Sequence, residues 1–278
     1  MGKELYEQSG IARQLFAIAR EILGYDIAEV MFHGSEEDLK RTSVTQPAIY
    51  LHSVAAALAH GLEQEAAAVA GHSLGEFSAL AAAGVFRFED GLGLVLTRAT
   101  AMQAACDQQD SAMAAVLGME DAVVEEVCAS VQGEVVVPAN YNTVGQLVIS
   151  GSRAGIAQAI ELLKARGASR VVELPVNGAF HSPLMEPARI ELARGIEQTP
   201  FEDARIPVYQ NVTARPHRDR GEIRENLLRQ LTAPVRWTQT VQAMQADGIG
   251  AFVEAGPGKV LSGLIKKVGR QLETSQAG

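Results

Sequence analysis

Apolar positions near the start of the chain recur at helical spacing. Leu5, Ile11, Leu15, Ile18, Ala19 and Ile22 predict one amphipathic helix over 4–23, which Gly24 stops. Thr45, Gln46 and Pro47 open a second helix running through Ile49, Leu51, Val54, Ala57 and Leu58, with the proline in its first turn. The Ala/Val run 66–70 suits a short buried strand, and 77–83 reads as a helix that Gly84 can end. Residues 88–105 form a further helix, with Arg98 set among Leu92, Leu94, Val95, Leu96 and Met102.

From about Ala112 strands begin to alternate with helices. Strands are predicted at 113–117, 135–141, 146–150 and 170–174, and helices at 122–131 and 154–166. That order, βαββαβ, is the ferredoxin-like arrangement. Beyond it, 177–183 makes a turn into a helix starting near Leu184, followed by a strand at 206–211, helices at 223–231 and 238–246, and a strand at 251–254. Gly256-Pro257-Gly258-Lys259 then turns into a terminal helix, and the tail after about Leu272 is expected to be disordered. The expected fold class is α/β: a hydrolase-like core with a short parallel sheet and a nucleophile elbow, residues 1–111 and 176–278, into which a ferredoxin-like small domain, 112–175, is inserted.

Composition narrows the function. A 278-residue chain with 47% hydrophobic and 21% charged residues can bury a sizeable core. It has no continuous apolar run of membrane-spanning length, and its charged start is unlike a secretory signal, so a cytoplasmic protein with no membrane partner is expected. Cys106 and Cys128 have neither metal-ligand nor Cys-x-x-Cys spacing, so no metal site and no cofactor are expected. The formal net charge of −9 argues against a nucleic-acid partner.

The chemistry centres on Gly71-His72-Ser73-Leu74-Gly75. Between strand and helix, Gly-x-Ser-x-Gly makes an elbow that exposes the serine hydroxyl, so Ser73 is the candidate nucleophile; a turn that only caps a helix has the same residues. A serine needs a base to take its proton. Of the six histidines, His33, His52 and His60 belong to polar loops or helix faces, His217 to a charged, solvated loop, and His72 to the strained turn itself. His181, in a loop entering a helix, is left, and on these residues alone it serves equally as a base or as a loop residue. By composition Arg98 reads as a helix arginine reaching solvent.

Several separated motifs, in order, bear a family resemblance. These are Gly71-His72-Ser73-Leu74-Gly75-Glu76, Arg98, Met102-Gln103, Asn140-Tyr141-Asn142 with Gln146, Gly178-Ala179-Phe180-His181-Ser182-Pro183-Leu184-Met185, the segment from Gln230 to Trp237, and that from Glu254 to Leu261. Together they resemble the malonyl-CoA:acyl carrier protein transacylases of bacterial type II fatty-acid synthesis. The resemblance implies that Ser73 attacks the malonyl thioester and that His181 takes its proton, then activates the phosphopantetheine thiol of the holo carrier protein, with malonyl-CoA as the other partner. It implies an oxyanion donor at the Leu74 N–H and a backbone carbonyl at Arg236 orienting His181. Arg98 would fork onto the malonate carboxylate, with His72, Phe180 and Asn142 also binding substrate. A monomer is expected. Lys164, Arg166 and Arg170, or Lys259, Lys266 and Lys267, are the basic groups that could face an acidic carrier.

One departure accompanies the likeness. Family members begin with a buried strand ending in Gly-Gln-Gly-Ser-Gln, whose loop gives a second oxyanion donor, and this sequence opens beyond that point. A start assigned at an internal methionine is the expected reason, and loss of one such donor costs about 100- to 1,000-fold in rate. Two further readings stand beside the transferase: an acyl hydrolase or thioesterase using the same elbow, and an inactive module that only binds carrier protein.

Overall fold

The computed structural model describes residues 1–176 and 178–278, so Asn177 of the predicted 177–183 turn lies outside the described residues. The N-terminal part is helical: α1 (Lys3–Gln8), α2 (Gly10–Leu23), α3 (Ile27–His33), α4 (Glu36–Lys40), α5 (Thr42–Ala59) and α6 (Leu62–Glu65). The single helix expected over 4–23 is two. Ser9 takes extended backbone and accepts the Ala12 N–H on its hydroxyl, so it caps α2 instead of continuing α1. The helix expected to open at Thr45-Gln46-Pro47 starts earlier, at Thr42, which moves the proline out of the first turn and into the helix interior.

Next come β1 (Val69–Ala70), α7 (Gly75–Ala82) and α8 (Phe88–Gln108). The βαββαβ stretch comprises β2 (Ser111–Leu117), α9 (Asp121–Ser130), β3 (Val136–Thr143), β4 (Gln146–Ser152), α10 (Arg153–Ala165) and β5 (Arg170–Glu173). Its strands lie in the order β3-β4-β2-β5, all neighbours antiparallel. Each helix therefore crosses over one strand. A short 3-10 turn, Pro183–Met185, leads into α11 (Glu186–Gln198), followed by β6 (Val208–Gln210), β7 (Arg215–His217), α12 (Arg220–Gln230), α13 (Trp237–Ala246), β8 (Ala251–Ala255), α14 (Val260–Val268) and β9 (Glu273–Ala277).

Among the described strands, parallel pairing joins β1 with β6 and β8 with β9, and an isolated parallel bridge joins Asn140 to Val235. The tail expected to be disordered is thus a strand, paired along its length with β8, and Leu272 just before it is buried. The loop expected around His217 contains β7, antiparallel to β6, and His217 bonds Thr213 and Glu222.

Among the described residues, packing gathers into three larger cores and one small cluster. The largest gathers α2, α5, α7, α8 and α11 around Tyr50, Leu51, Phe77, Leu80 and Leu92. A second, with Val116, Leu147, Ile149, Ile156 and Leu163, lies between the four-stranded sheet and its two helices. The third joins Val235, Trp237 and Val241 to Leu264, Ile265 and Leu272. The sheet is fastened to the segment before α13: Tyr141 N–H donates to Val235 O (2.9 Å) and Val235 N–H to Ala139 O (2.8 Å). No helix among the described residues is long and apolar enough to cross a membrane.

Candidate active site

The chain leaves β1 at Ala70 and turns back into α7 within five residues, which forces unusual backbone on the residue at the apex. Ser73 sits at φ 53°, left-handed and costly for a residue with a side chain. The surroundings over-determine it. The Ser73 N–H donates to Asn211 Oδ1 (2.7 Å), Asn211 Nδ2 donates to Gly71 O (2.6 Å), and Gln230 Nε2 donates to Ser73 O (3.0 Å). Among the described residues no group accepts from the Leu74 N–H, which stands at the start of α7 as a free donor.

His181 has the same backbone peculiarity, at φ 58°. Its turn is held by Ser182, whose hydroxyl donates to Ala179 O (2.6 Å) and accepts the Leu184 N–H. Nδ1 faces two carbonyls, Gln230 O at 2.9 Å and Ala233 O at 3.2 Å. Carbonyls only accept, so Nδ1 carries the proton and Nε2 is the bare acceptor. Ser73 Oγ lies 2.7 Å from that Nε2. Burial first, then the Arg98 charge, pushes the imidazole down to about 3, which keeps it a neutral base.

His181 is oriented not by the expected Arg236 carbonyl but by those of Gln230 and Ala233. The Arg236 carbonyl accepts the Thr240 N–H and hydroxyl as the first acceptor of α13, and its side chain is exposed. The carbonyls that reach His181 come earlier, where α12 ends and the chain turns before Pro234.

Arg98 is buried, not solvated as composition implied: it is 1% exposed. Its Nη2 donates to Ser73 Oγ (2.9 Å), its Nη1 to Gln46 Oε1 (2.5 Å), and the guanidinium lies over the Phe77 ring. Burial lowers it to about 10, still a cation at neutral pH. The counter-charge is Glu76, buried behind the elbow, where it accepts the Asn211 N–H (2.7 Å) and Gln210 Nε2 (3.2 Å). Desolvation raises Glu76 to about 7 against those hydrogen bonds and the Arg98 charge.

Of the other expected residues, His72 bonds Asn142 Oδ1 through Nε2 (2.8 Å) and leans on the Trp237 ring; burial lowers its pKa. Phe180, next to the base, packs against both the largest core and the face of the four-stranded sheet around Met113 and Val148. The site therefore unites a hydroxyl with a neutral base, a free N–H beside the hydroxyl, and a buried cation within reach of both. Such a set can form a serine ester with an acid-bearing acyl group.

Comparison with known proteins agrees with this geometry. The acyl transferase domain model matches residues 1–277. The chain is 42% identical to the malonyl CoA-acyl carrier protein transacylase of Bacillus subtilis, covering 99% of this chain and 87% of that protein. It belongs to the malonyl-CoA:acyl carrier protein transacylase family. Among solved members, an acyl carrier protein S-malonyltransferase from Vibrio cholerae superposes with a TM-score of 0.95 at 42% identity, over 100% of this chain and 92% of that one. A malonyl-transacylase solved in complex with a type II PKS acyl-carrier protein superposes at 0.92, 38% identical, over 99% and 90% of the two chains.

Four further side chains make contacts at this site that the sequence did not assign: Gln46, Glu76, Asn211 and Gln230. Gln46 precedes a proline, Glu76 closes the elbow motif, Asn211 ends the strand predicted at 206–211 and Gln230 opens the segment running to Trp237. Those are the only sequence cues they offer, because their partners come from distant parts of the chain.

Proposed function

We propose that the chain transfers a malonyl group from malonyl-CoA to the phosphopantetheine thiol of an acyl carrier protein, through an ester on Ser73. The observation that carries this reading is Ser73 Oγ held between a neutral imidazole at 2.7 Å and a buried guanidinium at 2.9 Å. A hydrolase of uncharged esters has no need of that buried cation, whereas a malonyl group brings a carboxylate that pairs with it. The names of the relatives and the carrier-protein complex of one of them support the same assignment.

In the first half-reaction Ser73 Oγ attacks the thioester carbonyl and its proton passes to His181 Nε2. The carbonyl oxygen gathers negative charge, which the Leu74 N–H stabilises. The tetrahedral intermediate collapses with cleavage of the C–S bond, and His181 returns the proton to the CoA thiolate. In the second half, His181 removes the proton of the carrier thiol, sulfur attacks the seryl ester, and Ser73 regains its hydrogen as the C–O bond breaks. Arg98 exchanges its bond to Ser73 Oγ for the malonate carboxylate, and Gln46 steadies the other side of the fork.

The test is intact-mass measurement after brief mixing with malonyl-CoA and then with holo carrier protein. The expected result is a gain of one malonyl group, its loss on carrier addition, and no gain in Ser73→Ala. CoA release without adduct or transfer would point to a hydrolase instead. Carrier binding with no adduct at all would point to an inactive binding module.

A further inference from the structure

Gln230 is the last residue of α12, buried, and touches both halves of the dyad by different groups. Its carbonyl accepts the His181 Nδ1 proton (2.9 Å), and its side-chain amide donates to Ser73 O (3.0 Å). The amide must face this way. Ser73 O can only accept, so a flipped side chain would set oxygen against oxygen. Gln230 Oε1, on the other side, has no partner among the described residues.

Ser73 C=O and Leu74 N–H are the two ends of one trans, planar peptide. Whatever holds the oxygen fixes the direction of the N–H, which points the opposite way. The peptide before Ser73 is held by Asn211, and the one after it by Gln230 together with the Glu76 N–H, which also donates to Ser73 O (3.0 Å). A donor on the carbonyl also polarises the amide and strengthens its N–H.

We propose that Gln230 is a positioning residue: its side chain aims the Leu74 N–H at the developing oxyanion while its main chain sets the base, so one residue fixes the donor and the base relative to each other. This rests on the acyl-transfer reading above for its substrate, and the experiment is chosen to separate the two. The probe is a fluorophosphonate, which needs Ser73, the base and the oxyanion donor but no malonyl group.

Gln230→Met removes the amide at nearly constant length and leaves the carbonyl to His181. Labelling of Ser73 is expected to fall roughly 10- to 100-fold, less than the loss of a whole oxyanion donor because the donor is misaimed and not absent. Single-turnover acylation by malonyl-CoA should slow equally, with the substrate half-saturation moving less than about twofold, since Arg98 and Gln46 are untouched. Gln230→Glu supplies the readout that a packing role would not move. Glu76, Arg98 and His181 are the charged and titratable groups around this side chain, with His72 beyond them. An ionised carboxylate repels Ser73 O, whereas a protonated one donates to it, so labelling of Gln230→Glu relative to Gln230→Met should rise as pH falls from 8 to about 5.

Gln230→Met labelling within twofold of the unsubstituted chain overturns the proposal. So does a loss shared with a lowered unfolding temperature and no recovery of Gln230→Glu at low pH. If the labelling pattern holds but no variant and no unsubstituted chain takes malonyl from malonyl-CoA, the positioning role stands and the malonyl reading falls.

Discussion

His181 is a base whose environment works against protonation, and this has consequences on both sides of the folding equilibrium. Its low value, about 3, comes from burial and then from the Arg98 charge. Labelling or acylation of the free protein should therefore show no inflection near 6.5 as pH falls, and its acid limb should lie well below that of an exposed histidine. Arg98→Gln removes one of the causes and should move the acid limb upward; a limb left in place would contradict the electrostatic account. For stability, an unfolded histidine takes a proton near 6.5 that native His181, and native His52 at about 4, refuse. Their contribution falls as pH drops below 6.5. Glu76 acts in the opposite sense, holding a proton from about 7 where the unfolded carboxyl waits until about 4.5. Between about 6.5 and 4.5 two histidine slopes outweigh the single carboxyl slope, both histidines act unopposed from 4.5 to about 4, and His181 alone continues to about 3. Denaturant titrations at stepped pH should show stability falling below about 6.5, most steeply just under 4.5. At this scale the sequence made Ser73 and His181 visible because a strained turn and a loop histidine are properties of short stretches. It could not name the groups that orient the base, since every residue carries a carbonyl, nor Asn211 and Gln230, whose partners lie 138 and 157 positions away.

Among the elements, the elbow shows that its two glycines are not equivalent. A Cβ on Gly71 would sit 1.9 Å from the Gly75 carbonyl carbon and oxygen, all backbone, whereas one on Gly75 meets nothing within 4 Å. Gly71→Ala should abolish Ser73 labelling and lower stability, because the strand cannot pass the helix. Gly75→Ala, at the first position of α7, should retain the fold and match or exceed the parent stability by up to about 1 kcal/mol. Thermal unfolding of the two variants distinguishes this asymmetry from a shared requirement for glycine. The long helices and the βαββαβ order were legible because apolar periodicity extends over many residues there. The elements that were missed are short or polar. β9 reads Glu-Thr-Ser-Gln-Ala and becomes a strand only through its pairing with β8. β7 contains a proline and two basic residues, and the break between α1 and α2 hangs on the hydroxyl of Ser9.

For the whole molecule, an overall charge of −9 means that an acidic carrier must approach through a local basic group. Lys164 and Arg166 already face Glu161 and Glu126, so reversing either should leave transfer unchanged. Lys267 is exposed at the end of α14, beside Gln146 of the β3–β4 hairpin, whose tip Val144 is 70% exposed; from Asn142, which bonds His72, that tip is two residues on. Lys267→Glu is expected to weaken carrier use several-fold at low salt, with malonyl-CoA acylation unaltered. Equal effects of Lys164→Glu and Lys267→Glu would dismiss this choice of face. The segment from Gln230 to Trp237 binds the base through two peptide oxygens, clasps the four-stranded sheet through Val235 and lays an indole on His72. Peptide oxygens take up no proton in ordinary acid and survive every side-chain replacement. Mutation can therefore loosen this hold on His181 only by moving the backbone, through the clasp on the sheet or the indole on His72, and not by deleting the acceptors.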